Sequence, residues 1–148
     1  MAADNPLDHL DRLVGGEWHF AGGSIENPPV KFHTYDWGLP GGTIISNSFS
    51  AEGRQVAQAL WYWHPGEQTL RALGVTHFEE APSLFNYTSI QVSEETMTCK
   101  LEAQAGPEVE RYTEEWRFPS QDEYHWKLLA ETPAGPQEVM RAVFRRER

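Results

Sequence analysis

The segment from Arg111 to Phe118 sets an acid among aromatic side chains, because strand alternation places Tyr112, Glu114, Trp116 and Phe118 on one face. A carboxylate in such company is costly unless it is paired. If Glu114 points inward, Arg141 is a candidate partner, and an inward acid beside an Arg is a candidate ligand anchor or general acid/base. If Glu114 lies near a rim it is a hydrated surface acid, and the spacing favours neither reading. A second segment, Ala59-Leu60-Trp61-Tyr62-Trp63-His64, carries large rings on both faces: Leu60, Tyr62 and His64 share one, Ala59, Trp61 and Trp63 the other. One of these faces must look inward, where rings beside a Tyr hydroxyl or a His make the usual lining of a small-ligand pocket. The other packs under a helix or against a partner. A late hairpin adds Tyr124, Trp126, Leu128 and Ala130 as a consistent apolar face.

Histidine and cysteine chemistry is weaker. His33, His64 and His77 fall in or at the ends of different strands, and their convergence would make a metal site. No His-x-His or His-Glu-x-x-His spacing draws them together, so scattered histidines satisfied by neighbours or solvent are the expectation. His9 and His19 are less promising still, and His125 shares its strand face with the polar Glu123, Lys127 and Glu131. Cys99 is the single cysteine, so no intramolecular disulfide can form, and alternation in Thr96-Met97-Thr98-Cys99-Lys100-Leu101 makes it a small buried apolar side chain rather than a nucleophile. No Gly-rich phosphate loop, Gly-x-Ser-x-Gly elbow, paired-Cys motif or Walker sequence is present. The pairs Gly15-Gly16, Gly22-Gly23 and Gly41-Gly42 are turn residues, and the expectation is a chain with neither resident metal nor cofactor.

These side chains need elements to position them. Leu7, Leu10, Leu13 and Val14 recur at helical spacing behind Asn5 as N-cap and Pro6 at the first position, with Gly15-Gly16 as a stop, which predicts a short helix over Pro6 to Val14. Beyond Gly16 the pattern changes to short runs rich in Thr, Val, Ile and aromatics, each closed by Gly, Pro, Asn, Asp or Ser. The predicted strands are 17–21, 31–37, 43–51, 56–64, 69–77, 83–91, 95–103, 109–118, 123–131 and 137–146. The breaks between them are short, such as Pro65-Gly66-Glu67, Glu80-Ala81-Pro82, Ser120-Gln121-Asp122 and Pro133-Ala134-Gly135-Pro136. Breaks of that length join antiparallel neighbours in a meander. About ten strands in one meander accumulate twist and expose edges, and closure into a barrel resolves both.

Composition bounds the partners. The 148 residues suit one domain, 1–148, able to bury a core without disulfide or metal staples, and no repeat or linker marks a second. Twelve Lys and Arg against 22 Asp and Glu give a net charge of −10, which repels nucleic acid and anionic membrane at long range. Met1 to Pro6 has no basic and apolar leader pattern and no run of about 18 apolar residues occurs, so a cytoplasmic location is the expectation.

Leu13-Val14-Gly15-Gly16-Glu17-Trp18 runs from the helix through a Gly pair into a strand opening on Glu-Trp, so that Trp18 can plug one end of a barrel. Gly16-Glu17-Trp18 resembles the Gly-x-Trp that opens the first strand of the lipocalin and fatty-acid-binding (calycin) superfamily. With Phe144-Arg145-Arg146 late in the chain, the frame looks like bacterial lipocalin-like domains of unknown function and nitrobindin-type barrels. The resemblance implies that an Arg of the last strand, Arg145 or Arg146, stacks over Trp18 as a fold signature. In nitrobindin-type barrels it also implies a haem held by a His of the last strand. The matching segment here, Val139 to Arg145, has no His and offers only Met140 as an axial donor, so haem is the minor reading.

The sequence therefore predicts an all-β fold, an up-and-down antiparallel β-barrel of about ten strands with a short N-terminal helix. The favoured function is binding of a small apolar or aromatic molecule in the barrel. Trp61, Tyr62, Trp63, Trp126 and Met140 would supply walls, and Arg141, His77, Tyr112 and Glu114 polar anchors. The alternatives are a cofactor-free proton-transfer or isomerisation enzyme using Glu114 or His77, haem binding, and a filled barrel acting as a homodimer module through an outer aromatic face.

Overall fold

In the computed structural model, residues 5–78 and 81–148 are described. The expected turn at Glu80-Ala81-Pro82 and the chain start considered for a leader fall partly outside them. Ten antiparallel strands follow one short helix: β1 (Glu17–Gly23), β2 (Phe32–Trp37), β3 (Thr43–Phe49), β4 (Gln55–His64), β5 (Thr69–Thr76), β6 (Ser83–Val92), β7 (Thr96–Gln104), β8 (Glu110–Ser120), β9 (Glu123–Thr132) and β10 (Gly135–Glu147). Each pairs with its sequence neighbours, and β1 pairs with β10 to close the barrel. Such a ten-stranded barrel with a short N-terminal helix fits a calycin-like barrel in general. No helix among the described residues is long and apolar enough to cross a membrane.

Period-two burial organises the wall. On β7, Met97, Cys99 and Leu101 are buried while Thr96, Thr98 and Lys100 face out, so Cys99 is a fully covered apolar side chain. On β3 the inward positions are Ile44, Ser46 and Ser48. Bulges at Phe20/Gly22 on β1 and Glu138/Met140 on β10 bend the wall where the sheet closes on itself. Gly23 sits there against the backbone carbonyl of Arg141, too close for any Cβ.

The N-terminal helix, Pro6–Leu13, is a 3-10 helix. Its buried residues, Leu7, Leu10 and Leu13, are spaced by three, which suits a helix of three residues per turn whose i and i+3 side chains eclipse. The Asn5 side chain caps it by accepting from the Leu7 N–H at 3.0 Å. Behind it, the Trp18 indole donates to the Leu13 carbonyl at 2.9 Å, and the Arg146 guanidinium lies 4.3 Å from the centre of the Trp18 ring. Arg146 also donates to the Val14 carbonyl and pairs with Asp122 at 3.0 Å. Arg145 points outward to Glu123, so of the two expected arginines it is Arg146 that stacks. Arg12 fastens the far end of the helix, donating to the Glu94 carbonyl at 2.6 Å and lying over Phe118. Helix, Trp18 and Arg146 thus seal one mouth of the barrel with leucines, each contributing about 2 kcal/mol through burial.

Candidate functional site

Towards the unsealed mouth the barrel encloses a cavity of about 410 Å³, within the range that holds a small molecule. Its rim comes from three connections: Ile25, Pro28 and Val30 between β1 and β2, Phe78 and Ser83 around the β5–β6 connection, and Ala105 after β7. Its depth is aromatic. Trp61 and Trp116 stand edge to face at 6.2 Å with planes at 89°, Tyr87 lies 5.3 Å from Trp61, and Tyr124 lies 4.8 Å from Trp116.

Alternation along β8 carries Tyr112, Glu114 and Trp116 inward together, and Glu114 ends fully enclosed among these rings. One carboxylate oxygen accepts from the Tyr87 hydroxyl at 3.0 Å, the other from the Trp116 indole at 3.1 Å, and the Trp126 indole also donates to the group. Burial pushes the Glu114 carboxyl up to about 7, against the pull of those three donors. Nearby, Trp61 donates to Ser46 at 3.1 Å, Tyr35 and Tyr124 share a hydroxyl contact of 3.1 Å, and His33 Nδ1 meets Ser48 Oγ at 2.8 Å. Burial lowers His33 to about 4, so it is neutral at neutral pH, and raises the hydroxyls of Tyr35, Tyr87 and Tyr124 and the Cys99 thiol.

Of the residues singled out in the sequence, Trp61, Tyr112, Glu114, Trp126, Met140 and Arg141 line this cavity. Three do not. Tyr62 lies on the outer face of β4, because Ala57, Ala59 and Trp61 take the inner one, and it sits between Thr43 and Arg71 of the neighbouring strands. Trp63 shares the inner face but lies beyond the cavity, packed against the sealed core. His77 is exposed just past β5, where its backbone N–H donates to the Val56 carbonyl, and it is not among the residues that line the cavity. The expected pairing of Glu114 with Arg141 is also replaced: Arg141 lies at the mouth in a bidentate contact with Glu138, and Glu114 is held by neutral donors instead.

Sequence reasoning missed His33, Tyr35 and Tyr87 as cavity residues. The alternation His33-Tyr35-Trp37 and the pair Phe85, Tyr87 were signals, but each needed its inward face fixed by closure first. The histidines do not converge: His33 is inside, His64 accepts from the Glu67 N–H, and His77 is outside. Among the described residues no cluster of His, Cys, Asp or Glu is gathered for a metal ion. The last strand, where the resemblance would put a haem-holding His, has none, and the one cavity histidine, His33, lies on β2 instead. No protein-family model and no curated protein matches the chain. Chemically, the arrangement can solvate an apolar body by its rings and present to a polar group on that body the buried carboxyl of Glu114, with the exposed carboxyl of Glu110 also in the lining.

Proposed function

We propose that the protein binds a small, largely apolar or aromatic molecule inside the barrel. The observation that carries this reading is a 410 Å³ cavity walled by rings and open at one end of a barrel whose other end is sealed by helix and Trp18. A chain that only needed a core could have filled this space, and interiors are normally close-packed. The finer likeness to bacterial lipocalin-like domains is supported by Gly16-Glu17-Trp18 with Arg146 stacked over Trp18. Titration with Nile red tests the reading: uptake should brighten and blue-shift the dye and quench emission from Trp61, Trp116 and Trp126. A folded protein that leaves both emissions unchanged at saturating dye would remove it.

A second reading, a proton-transferring enzyme without cofactor, is favoured by one feature, the cavity carboxyl of Glu114 poised near 7. Any turnover found by screening should then be abolished in Glu114→Gln, and activity undiminished in that variant rejects the assignment.

A further inference from the structure

We propose that the preferred ligand is an organic cation, a protonated amine on an apolar body, seated with its nitrogen against Glu114 between the aromatic walls. The inference rests on the cavity reading above and names the ligand class for it. Three observations lead to it. Both Glu114 oxygens accept from oriented neutral donors, Tyr87 and Trp116, with Trp126 a third, an arrangement built for a carboxylate and still short of the roughly four lone-pair sites it offers. No Lys, Arg or His among the described residues forms an ion pair with it, and the one cavity arginine, Arg141, is engaged by Glu138 at the mouth. A buried carboxylate with donors but no countercharge is incomplete, and a ligand ammonium supplies the missing charge. The walls suit the same guest, because Trp61 and Trp116 meet at right angles beside Tyr87 and aromatic faces attract cations.

The other ligand charges fit worse. An anion would face an acid with no free cation deep in the cavity. A neutral molecule leaves Glu114 to take up a proton. The net charge of −10 also draws cations toward the protein from solution.

The groups facing Glu114 leave it as the one that titrates near neutrality. Cys99 on β7, Tyr87 on β6, Tyr35 on β2 and Tyr124 on β9 are all raised and stay neutral; His33 on β2 is lowered to about 4 and is neutral as well. Leu128 lies opposite on β9, Ser46 lines the cavity from β3, and Arg141 on β10 is paired with Glu138; on β8 itself Tyr112, also raised, donates its hydroxyl to Glu110, a second acid in the cavity lining. Amine binding therefore strengthens as pH rises through about 7 and Glu114 gives up its proton, and binding below that pH releases a proton.

The test compares phenethylamine, phenethyl alcohol and hydrocinnamate, which share an aromatic body and differ in charge, by calorimetry and Trp emission. At about pH 8 phenethylamine should bind roughly tenfold more tightly than the alcohol, with hydrocinnamate weakest. The preference should shrink toward parity near pH 5.5, as Glu114 protonates, and be lost at both pH values in Glu114→Gln. Should that variant fail to fold, the pH dependence of the unaltered protein decides alone. Alcohol binding as tight as amine binding at pH 8, or a preference that does not change with pH, overturns the inference and leaves the cavity reading standing. Nile red bound with neither phenethyl probe also overturns the inference alone; failure of all the probes, Nile red included, removes the cavity reading with it.

Discussion

Glu114 and His33 line one cavity and are displaced in opposite directions by the same cause, burial that penalises charge. Glu114 is raised from 4.5 to about 7, so the folded state holds its proton where the unfolded chain has lost it, and stability falls as pH rises across that interval. His33 is lowered from 6.5 to about 4, so the unfolded chain binds the proton first, and stability rises with pH across that interval. Where the two windows overlap, between 4.5 and 6.5, one proton is gained and one lost, and the slopes cancel. Each alone amounts to about 3 kcal/mol over its window. Urea unfolding as a function of pH should therefore show a flat wild-type profile in the overlap. Glu114→Gln should unmask a rise in stability toward pH 6.5, and His33→Gln a fall continuing to about 7. Parallel profiles for the three proteins would contradict this pairing. The acid was legible in the sequence because it interrupts an aromatic face. Its partner Tyr87 was not, since it lies 27 residues away on a strand that meets Glu114 only in the barrel.

At the scale of elements, the sealed mouth concentrates stability. Leu7, Leu10 and Leu13 are covered on a helix too short to stand alone, so their burial, not helix propensity, holds it in place. Leu10→Ala should cost about 2–5 kcal/mol in thermal or denaturant unfolding, because removing a covered side chain leaves a hole in packing already complete. Arg146 adds a planar group that stacks on Trp18 while donating to the Val14 carbonyl and to Asp122, three contacts that an ammonium cannot reproduce together. Arg146→Lys should lower stability by about 1–2 kcal/mol. Arg145→Lys, next to it but exposed toward Glu123, should change it by less than about 0.5 kcal/mol. Equal effects of the two would show that the stack over Trp18 carries no stability. These elements were largely legible in advance: punctuation by Gly and Pro and alternation of apolar residues located all ten strands to within a few residues. The helix is expected too, but three leucines spaced by three, followed by Val14, suit a 3-10 turn as well as an α-helical one, and only the structure distinguishes them.

Across the whole molecule, the leucines of the sealed end and the cavity of the open one lie apart along the barrel axis, joined by a shared layer of Tyr35, Trp61, Trp116, Tyr124 and Phe144. Closure could be inferred from strand number, but the inward face of each strand could not, because a one-residue shift exchanges the faces and β4 carries rings on both. Alternation sets Tyr62 and Trp61 on opposite faces without saying which is inward, so both are expected as cavity walls, and in the structure only Trp61 is one. On the proposed binding reading, side chains outside that shared layer should adjust binding and folding independently. Ala59, on the inner face of β4 beside Trp61, borders the cavity, so a ring added there enters the cavity. Ala59→Phe should weaken uptake of Nile red by at least about tenfold and change stability by less than about 1 kcal/mol, since the added ring is buried in space that was not packed. Leu10→Ala should do the reverse, losing stability while the folded fraction binds the dye with unchanged affinity. Dye affinity and unfolding free energy measured on both variants decide the matter: if both quantities fall together in each, the two ends of the barrel are one cooperative unit and the separation does not hold.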